Sequence, residues 1–239
     1  MSEQTRFIGD LRDDQKDEEI WILGTGPNLD EFPDRFFDKK ITIALNSAII
    51  AFPKSTYWHG HHEGIREYVR DEKPEFLEKG IILFPFPGPF RHGRITQPKD
   101  FFGKLVSKPI WMKFWDTRPI PRAAFEDVIK CIMEKRTPPR GYRASMTVTH
   151  TAIQVAVIMG AKRITLVGCE HQGSHAQRRG LRAYYRGRKL PDDARYEAGT
   201  RWLAEILGEY GIELARYYYK RSKDHKKGYE KINTEKMDE

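Results

Sequence analysis

The run Ile20-Trp21-Ile22-Leu23 stops at Gly24-Thr25-Gly26-Pro27, and this junction limits what the chain can fold into more than any other feature. Four consecutive apolar residues are too few for a helix and too uniformly apolar for a strand with one wet face. They predict a strand buried on both faces, as in a parallel sheet. Glycines at its end predict a tight turn in which the backbone can approach a ligand closely or take a positive φ. The same form recurs. Ile41-Thr42-Ile43-Ala44-Leu45 ends at Asn46, Thr56-Tyr57-Trp58 is a weaker third strand, and Ile81 to Phe84 a fourth. Val148, Ala152, Val155, Ala156 and Met159 recur at helical spacing up to Gly160, and the strand Ile164 to Val167 follows at once. Tyr196, Gly199, Trp202, Leu203, Ile206 and Leu207 line a second helix, which Gly211 stops ahead of a last strand, Ile212 to Leu214. Strands alternating with helices predict an α/β, Rossmann-like fold: a mostly parallel sheet with helices on both faces. Ligands of such sheets bind beyond the carboxyl ends of the strands, so the residues after each strand are the ones to read for chemistry.

At 239 residues one domain is expected, spanning 19–220. A polar, flexible leader, 1–18, is expected before it and a basic, frayed tail, 221–239, after it. Residues 85–143 are rich in Pro, aromatics and Arg with little periodicity, and are expected to form an irregular insertion or lid that includes a short helix around Ala123 to Lys135. No apolar run approaches membrane-spanning length. The N-terminus lacks the apolar region of a secretory signal, and Cys131 and Cys169 match no zinc spacing. A cytoplasmic location is expected, with association to the inner membrane surface left open. The net charge of +8 is uneven. Arg178, Arg179, Arg182, Arg186, Arg188 and Lys189 form an acid-free stretch with Tyr184 and Tyr185, and Arg216 to Lys227 is a second basic stretch, with Tyr217, Tyr218 and Tyr219. Such stretches suit a solvated surface or an anionic partner (phosphate, sugar acid, lipopolysaccharide core or RNA), and charge alone does not choose among them.

Four groups of residues follow strands. Gly24, Thr25, Gly26, Pro27 and Asn28 form a turn expected to hold phosphate, with backbone N–H groups of a following helix aimed at it. The pattern is neither the Walker motif nor the full dinucleotide fingerprint. Asn46 is either a nucleotide contact or a cap for the next helix beside Ser47, and Ser145 is counted among the candidate nucleotide contacts. His59, His61, His62 and Glu63 cluster after the third strand. Adjacent histidines cannot all face one point, so His59 and His61 are expected to line a substrate pocket and a metal is the lesser reading. Glu170, His171 and His175 lie in the Gly-containing loop after Val167-Gly168, where an imidazole that titrates near neutrality can serve as a general base.

Together these residues resemble a known superfamily. Gly24-Thr25-Gly26-Pro27-Asn28-Leu29 is similar to the G-x-G-P-S-L opening of bacterial sialyltransferases of the Campylobacter lipooligosaccharide type and of motility-associated flagellin glycosyltransferases. Archaeal 6-hydroxymethylpterin diphosphokinases carry a similar opening. Asn46 matches a nucleotide-contacting Asn of the sialyltransferases. Thr151 to Ala161 followed by Ile164 to Gly168 is similar to the superfamily's helix–strand unit, and Ser174-His175-Ala176 resembles a T-H-A element of the flagellin-modifying branch. Asn28 departs from the usual Ser, and Cys169-Glu170 stands where an Asp often follows the strand. The resemblance covers about half of the chain in separated blocks.

It implies a glycosyltransferase that uses a nucleotide-activated sugar, a CMP-activated sialic-acid-like donor foremost, to modify a surface glycan or similar anionic acceptor. Arg178 and Arg182 are candidates to hold that acceptor, and His175, ahead of His171, is the candidate base. CMP is a leaving group of low basicity, so no metal is expected to be essential. The alternatives are an ATP-dependent pyrophosphokinase acting on a pterin-like alcohol, which would need Mg²⁺ held by carboxylates such as Asp30, Glu63 and Glu170, and a basic nucleic-acid-binding module, for which no motif is present.

Overall fold

The computed structural model describes residues 6–60, 63–73, 81–86, 109–113, 121–136, 147–170, 175–176, 181, 194–220 and 226–232. Strands β1 (Arg6–Phe7), β2 (Glu19–Leu23), β3 (Ile41–Leu45), β4 (Tyr57–His59), β5 (Ile81–Phe86), β6 (Pro109–Lys113), β7 (Arg163–Val167), β8 (Glu213–Tyr218) and β9 (Gly228–Lys231) form one sheet in the order β1-β6-β5-β4-β3-β2-β7-β8-β9. Every neighbouring pair is parallel except β8 and β9. The helices are α1 (Ala48–Ala51), α2 (Glu63–Glu72), α3 (Arg122–Met133), α4 (Val148–Ile158) and α5 (Ala194–Glu209). This is the doubly wound, mostly parallel α/β architecture expected from the strand–helix alternation.

Strand β2 shows why the apolar runs are unbroken. Ile20 and Ile22 face one side and join an aliphatic core with Ile43, Ile164 and Leu166 of the sheet, Phe125 and Ile129 of α3, Ile153 and Ala156 of α4, and Leu203 and Ile206 of α5. Trp21 and Leu23 face the other side, among Leu29, Phe32, Phe37, Ile49, Phe52, Trp58 and the α2 residues Ile65 and Val69. Both faces are covered, so both sets of alternate residues are apolar. Helix α4 lies under the sheet's centre and is buried from Thr149 to Ile158, which explains why its sequence carries little polar stripe.

Three boundary expectations give way. The supposed leader is part of the fold: β1 pairs with β6, Leu11 is fully buried, and the amides of Asp13, Gln15 and Asp17 donate to the carbonyls of Ile158, Met159 and Gly160 at 3.0, 2.9 and 2.9 Å. The segment thereby satisfies the carbonyls that end α4. The supposed insertion contributes β6, which lies between β5 and β1; the short helix expected in it is present as α3, and its Phe125, Val128, Ile129 and Ile132 enter the aliphatic core. The supposed tail forms β9, paired with β8 from Tyr218↔Gly228 to Ala215↔Lys231.

Strand β2 pairs with β3 on one side and β7 on the other, Leu23 standing opposite Ala44 and Val167. The chain winds one way from β2 through β3, β4 and β5, and the other way through β7 and β8. The winding therefore reverses beside β2, and the carboxyl ends of β2 and β7 are where a ligand of such a sheet is expected.

Candidate functional site

The turn after β2 and the turn after β7 are locked together. The amide of Gly24 donates to Val167 O at 2.8 Å and that of Gly26 to Gly168 O at 2.7 Å, so the pairing of the two strands continues past their ends. A Cβ on Gly24 would lie 2.1 Å from Gly168 O, and one on Gly26 would lie 2.2 Å from Glu170 Oε2 and 2.9 Å from Gly168 O. Gly26 has φ −72°, an ordinary value, so close approach between the two turns demands glycine there. The N–H groups of Gly24 and Gly26 are thus engaged with Val167 and Gly168. The helix expected to supply further donors is a 3-10 helix of five residues, Pro27–Glu31, whose Leu29 amide bonds back to Gly26 O at 3.1 Å.

Thr25, between the two glycines, is half-buried and meets the far loop twice. Its carbonyl accepts from the Ala176 amide at 2.8 Å, and its Oγ1 lies 3.0 Å from His175 Nδ1. His175 is 8% exposed and Ala176 fully buried. Glu170 is half-buried against Gly26. The structure thus brings Gly24, Thr25, Gly26, Glu170 and His175 to one place at the carboxyl edge.

Other candidates sit differently. Asn28 turns its amide inward: Nδ2 donates to Tyr217 O at 2.9 Å, and Oδ1 is buried with no partner among the described residues. It ties the 3-10 helix to β8. Pro27 is exposed. Asn46 takes φ 47°, a left-handed conformation that Asn tolerates better than most residues. Its amide donates to His59 O at 2.9 Å and its carbonyl accepts from Trp58 Nε1 at 2.7 Å. Ser47, next to it, is the N-cap of α1 but makes no side-chain capping bond. His59 is the last residue of β4 and has no exposed surface. It stands enclosed in this structure, where a pocket-lining position was expected of it. His61, Ser145, His171, Arg178 and Arg182 lie outside the described residues. Among the described residues no three His, Cys, Asp or Glu side chains gather to hold a metal.

Near these turns lie two groups to which sequence reading gave no place in the site. Cys169 Sγ contacts the carbonyls of Val167 and Ile22 at 3.5 and 3.7 Å. Burial, chiefly, and the neighbouring Glu170 carboxylate push its thiol up to about 12, so it stays protonated and is no nucleophile. Arg216, read as part of a basic surface stretch, is instead mostly buried and paired with Glu197 at the start of α5, which Arg201 also approaches at 3.5 Å. Burial likewise raises the Tyr218 phenol. The Glu197/Arg201 spacing of four was the one legible sign of this network.

No family model matches the chain, and no curated protein matches it. No described helix is long and apolar enough to cross a membrane. Among solved structures the chain is similar to the sialyltransferase CstII of Campylobacter jejuni, solved with a substrate analogue, cytidine-5'-monophosphate. The two share 13% identity with a TM-score of 0.46, over 86% of this chain and 82% of that one.

Proposed function

We infer that this chain is a transferase that binds a nucleotide-activated sugar, with a cytidine nucleotide foremost, at the carboxyl ends of β2 and β7, and passes the sugar to a hydroxyl of a glycan acceptor. The observation that carries this reading is the meeting of Thr25 with His175. An imidazole from the loop after β7 is delivered onto the turn after β2, at the reversal point where a doubly wound sheet binds its ligand. The resemblance of the Gly24 to Leu29 opening and of Ser174-His175-Ala176 to the sialyltransferase superfamily supports the choice of nucleotide and reaction.

In this reading His175 takes the proton of the acceptor hydroxyl as the acceptor oxygen attacks the anomeric carbon, and the bond from that carbon to the phosphate oxygen breaks. The nucleotide leaves as its monophosphate. Thr25, through its hydroxyl, and Asn46 are the groups assigned to the nucleotide side, and the basic stretch with Arg178 and Arg182 to an anionic acceptor. Calorimetry tests the assignment: cytidine 5'-monophosphate should bind equally in EDTA and in Mg²⁺, and ATP should not compete. Metal-dependent binding of ATP with none of the cytidine nucleotide would replace this reading with pyrophosphoryl transfer.

A further inference from the structure

On the sheet face that carries Trp21, a chain of aromatic rings runs from the core out into water. Trp21, Phe32 and Phe37 are buried there. Against them lie Phe36, Tyr217 and Tyr219, all half-buried, and Tyr229 of β9, which is 48% exposed. Ring centroids are 4.9 Å apart for Tyr229 and Tyr217, 5.9 Å for Tyr217 and Phe36, and 5.5 Å for Phe36 and Tyr219. The small residues Thr165 and Ala215 stand in register between Trp21 and β9, and this leaves room for Trp21 and Tyr229 to meet at 6.1 Å.

Cations border this stripe. Lys40 Nζ lies 4.5 Å from the Trp21 ring centre and 4.9 Å from that of Phe36, and Lys227 Nζ lies 5.4 Å from that of Tyr219. Neither lysine has a carboxylate partner among the described residues. A ring face attracts an ammonium but carries no net charge, so Lys40 and Lys227 remain uncompensated. Carboxylates on the same face are engaged elsewhere: Glu213 bridges Arg163 at 2.7 Å, and Glu19 accepts from the Thr165 and Tyr229 hydroxyls at 2.6 and 3.0 Å. Alternation along β9 adds Lys231 to the face of Tyr229.

We propose that this stripe is a docking surface for a carboxylated glycan. The proposal rests on the function inferred above, in which that glycan is the acceptor and the stripe holds the part of it distant from the reacting hydroxyl. One end of the stripe adjoins the candidate site: Lys220, next to Tyr219, donates its amide to Glu31 Oε2 at 3.1 Å, at the end of the 3-10 helix that follows Gly26. Charge complementarity selects an anion, and ring geometry selects among anions. The neighbouring rings stand at 36°, 80° and 79° to each other, and cations already cover a face of Trp21, Tyr219 and Tyr229. Among the described residues this leaves no row of parallel open faces on which successive bases could stack. A glycan asks only for ring edges against its C–H groups, phenol hydroxyls for its own hydroxyls, and cations for its carboxylates.

The test is fluorescence anisotropy of end-labelled oligogalacturonate, a carboxylated glycan, with the full-length protein at low salt. The wild type should bind it, bind a neutral dextran oligomer of the same length far more weakly, and lose affinity as salt rises. Lys40→Gln with Lys227→Gln should weaken binding about tenfold, the size expected for two exposed charge pairs. Lys54→Gln with Lys135→Gln removes the same charge from ion pairs elsewhere on the surface and should leave the affinity within about twofold. All four lysines are at the surface, so the variants should fold. Equal weakening by the two pairs of substitutions, equal binding of dextran, or no binding of oligogalacturonate overturns the proposal. Tighter binding of a thymidine oligonucleotide of the same length also overturns it and makes the stripe a nucleic-acid surface. Cytidine 5'-monophosphate affinity is measured apart from this and should be unchanged in Lys40→Gln with Lys227→Gln; failure of the nucleotide to bind even the wild type removes the proposed function and leaves the glycan result standing.

Discussion

At the carboxyl edge of the sheet the polar groups are turned toward one another: Gly24 and Gly26 against β7, Thr25 against His175 and Ala176, Asn28 against Tyr217. At the amino edge they are turned toward water. Asp34, Arg35, Phe37 and Asp38, which lead into β3, and Ala51, Phe52, Pro53, Lys54 and Ser55, which lead into β4, line a concavity of about 230 Å³. Asp38 bridges Lys54 at 3.1 Å and Arg35 at 3.3 Å, with the two cations 72% and 88% exposed. The hydrogen bond from Lys54 draws the Asp38 carboxyl below its usual range. That hollow is bordered by solvated ion pairs, while at the carboxyl edge an imidazole and a hydroxyl meet beside a turn packed against the Glu170 carboxylate. Among the described residues the two edges thus differ in how their polar groups are used: paired with one another at the carboxyl edge, solvated at the amino edge.

Substitutions should separate the two edges. His175→Ala is expected to have the largest effect, lowering transfer by roughly 10²–10⁴-fold, the range for a lost general base, with nucleotide affinity in calorimetry unchanged. A variant that keeps wild-type turnover would move the base away from this edge. Gly24→Ala comes next. Its Cβ would press on a backbone oxygen at 2.1 Å, which cannot rotate away, and a loss of about 3 kcal/mol is expected in urea denaturation, toward the upper range for overpacking. Gly26→Ala should cost less, because its nearest obstacle is the end of the Glu170 side chain; a larger cost than at Gly24 would contradict the packing described for the two turns.

A smaller effect is expected from Cys169. Its thiol is raised to about 12, above the ordinary value of about 8.5. A group whose folded value is raised stabilises the fold fully below its unfolded value and loses that contribution as pH rises through the folded one. The urea midpoint of the wild type should therefore fall more steeply between about pH 9 and 11 than that of Cys169→Ala, and iodoacetamide at pH 8 should leave Cys169 unmodified unless the protein is unfolded. Equal slopes would mean that the thiol is not held protonated. The smallest effect belongs to the amino edge: Lys54→Gln should leave nucleotide affinity unchanged, and a loss of binding there would erase the distinction between the edges.

The sequence made the centre of the sheet plain, and the reasons are local. Ile20 to Leu23, Ile41 to Leu45 and Ile164 to Val167 are unbroken because both faces are covered, and α4 ends at Gly160, whose φ of 84° suits glycine. What escaped is held by contacts that leave no pattern. The segment from Asp13 to Asp17 docks through backbone amides, β6 owes its place to β5 and β1 on either side, and Gly228–Lys231 is a polar edge strand that exists because β8 is beside it. The site followed the same rule. The turn at Gly24 was legible, but its cause, the carbonyl of Gly168, lies in a distant loop. The pairing of Thr25 with His175 spans 150 positions and had no sequence sign. His59 drew attention as one of three neighbouring histidines, yet its place as the last residue of a short inner strand buries it.

The central claim is that a nucleotide occupies the carboxyl edge between β2 and β7. Titration of cytidine 5'-monophosphate into ¹⁵N-labelled protein in EDTA, followed by amide chemical shifts, tests it most directly. The account predicts that the largest shifts fall on Thr25, Gly26, Asn46, Gly168 to Glu170 and His175, with the amides of Asp34 to Asp38 and Lys54 to Ser55 unmoved. Shifts confined to those amino-edge residues, or no shifts at all, would contradict it.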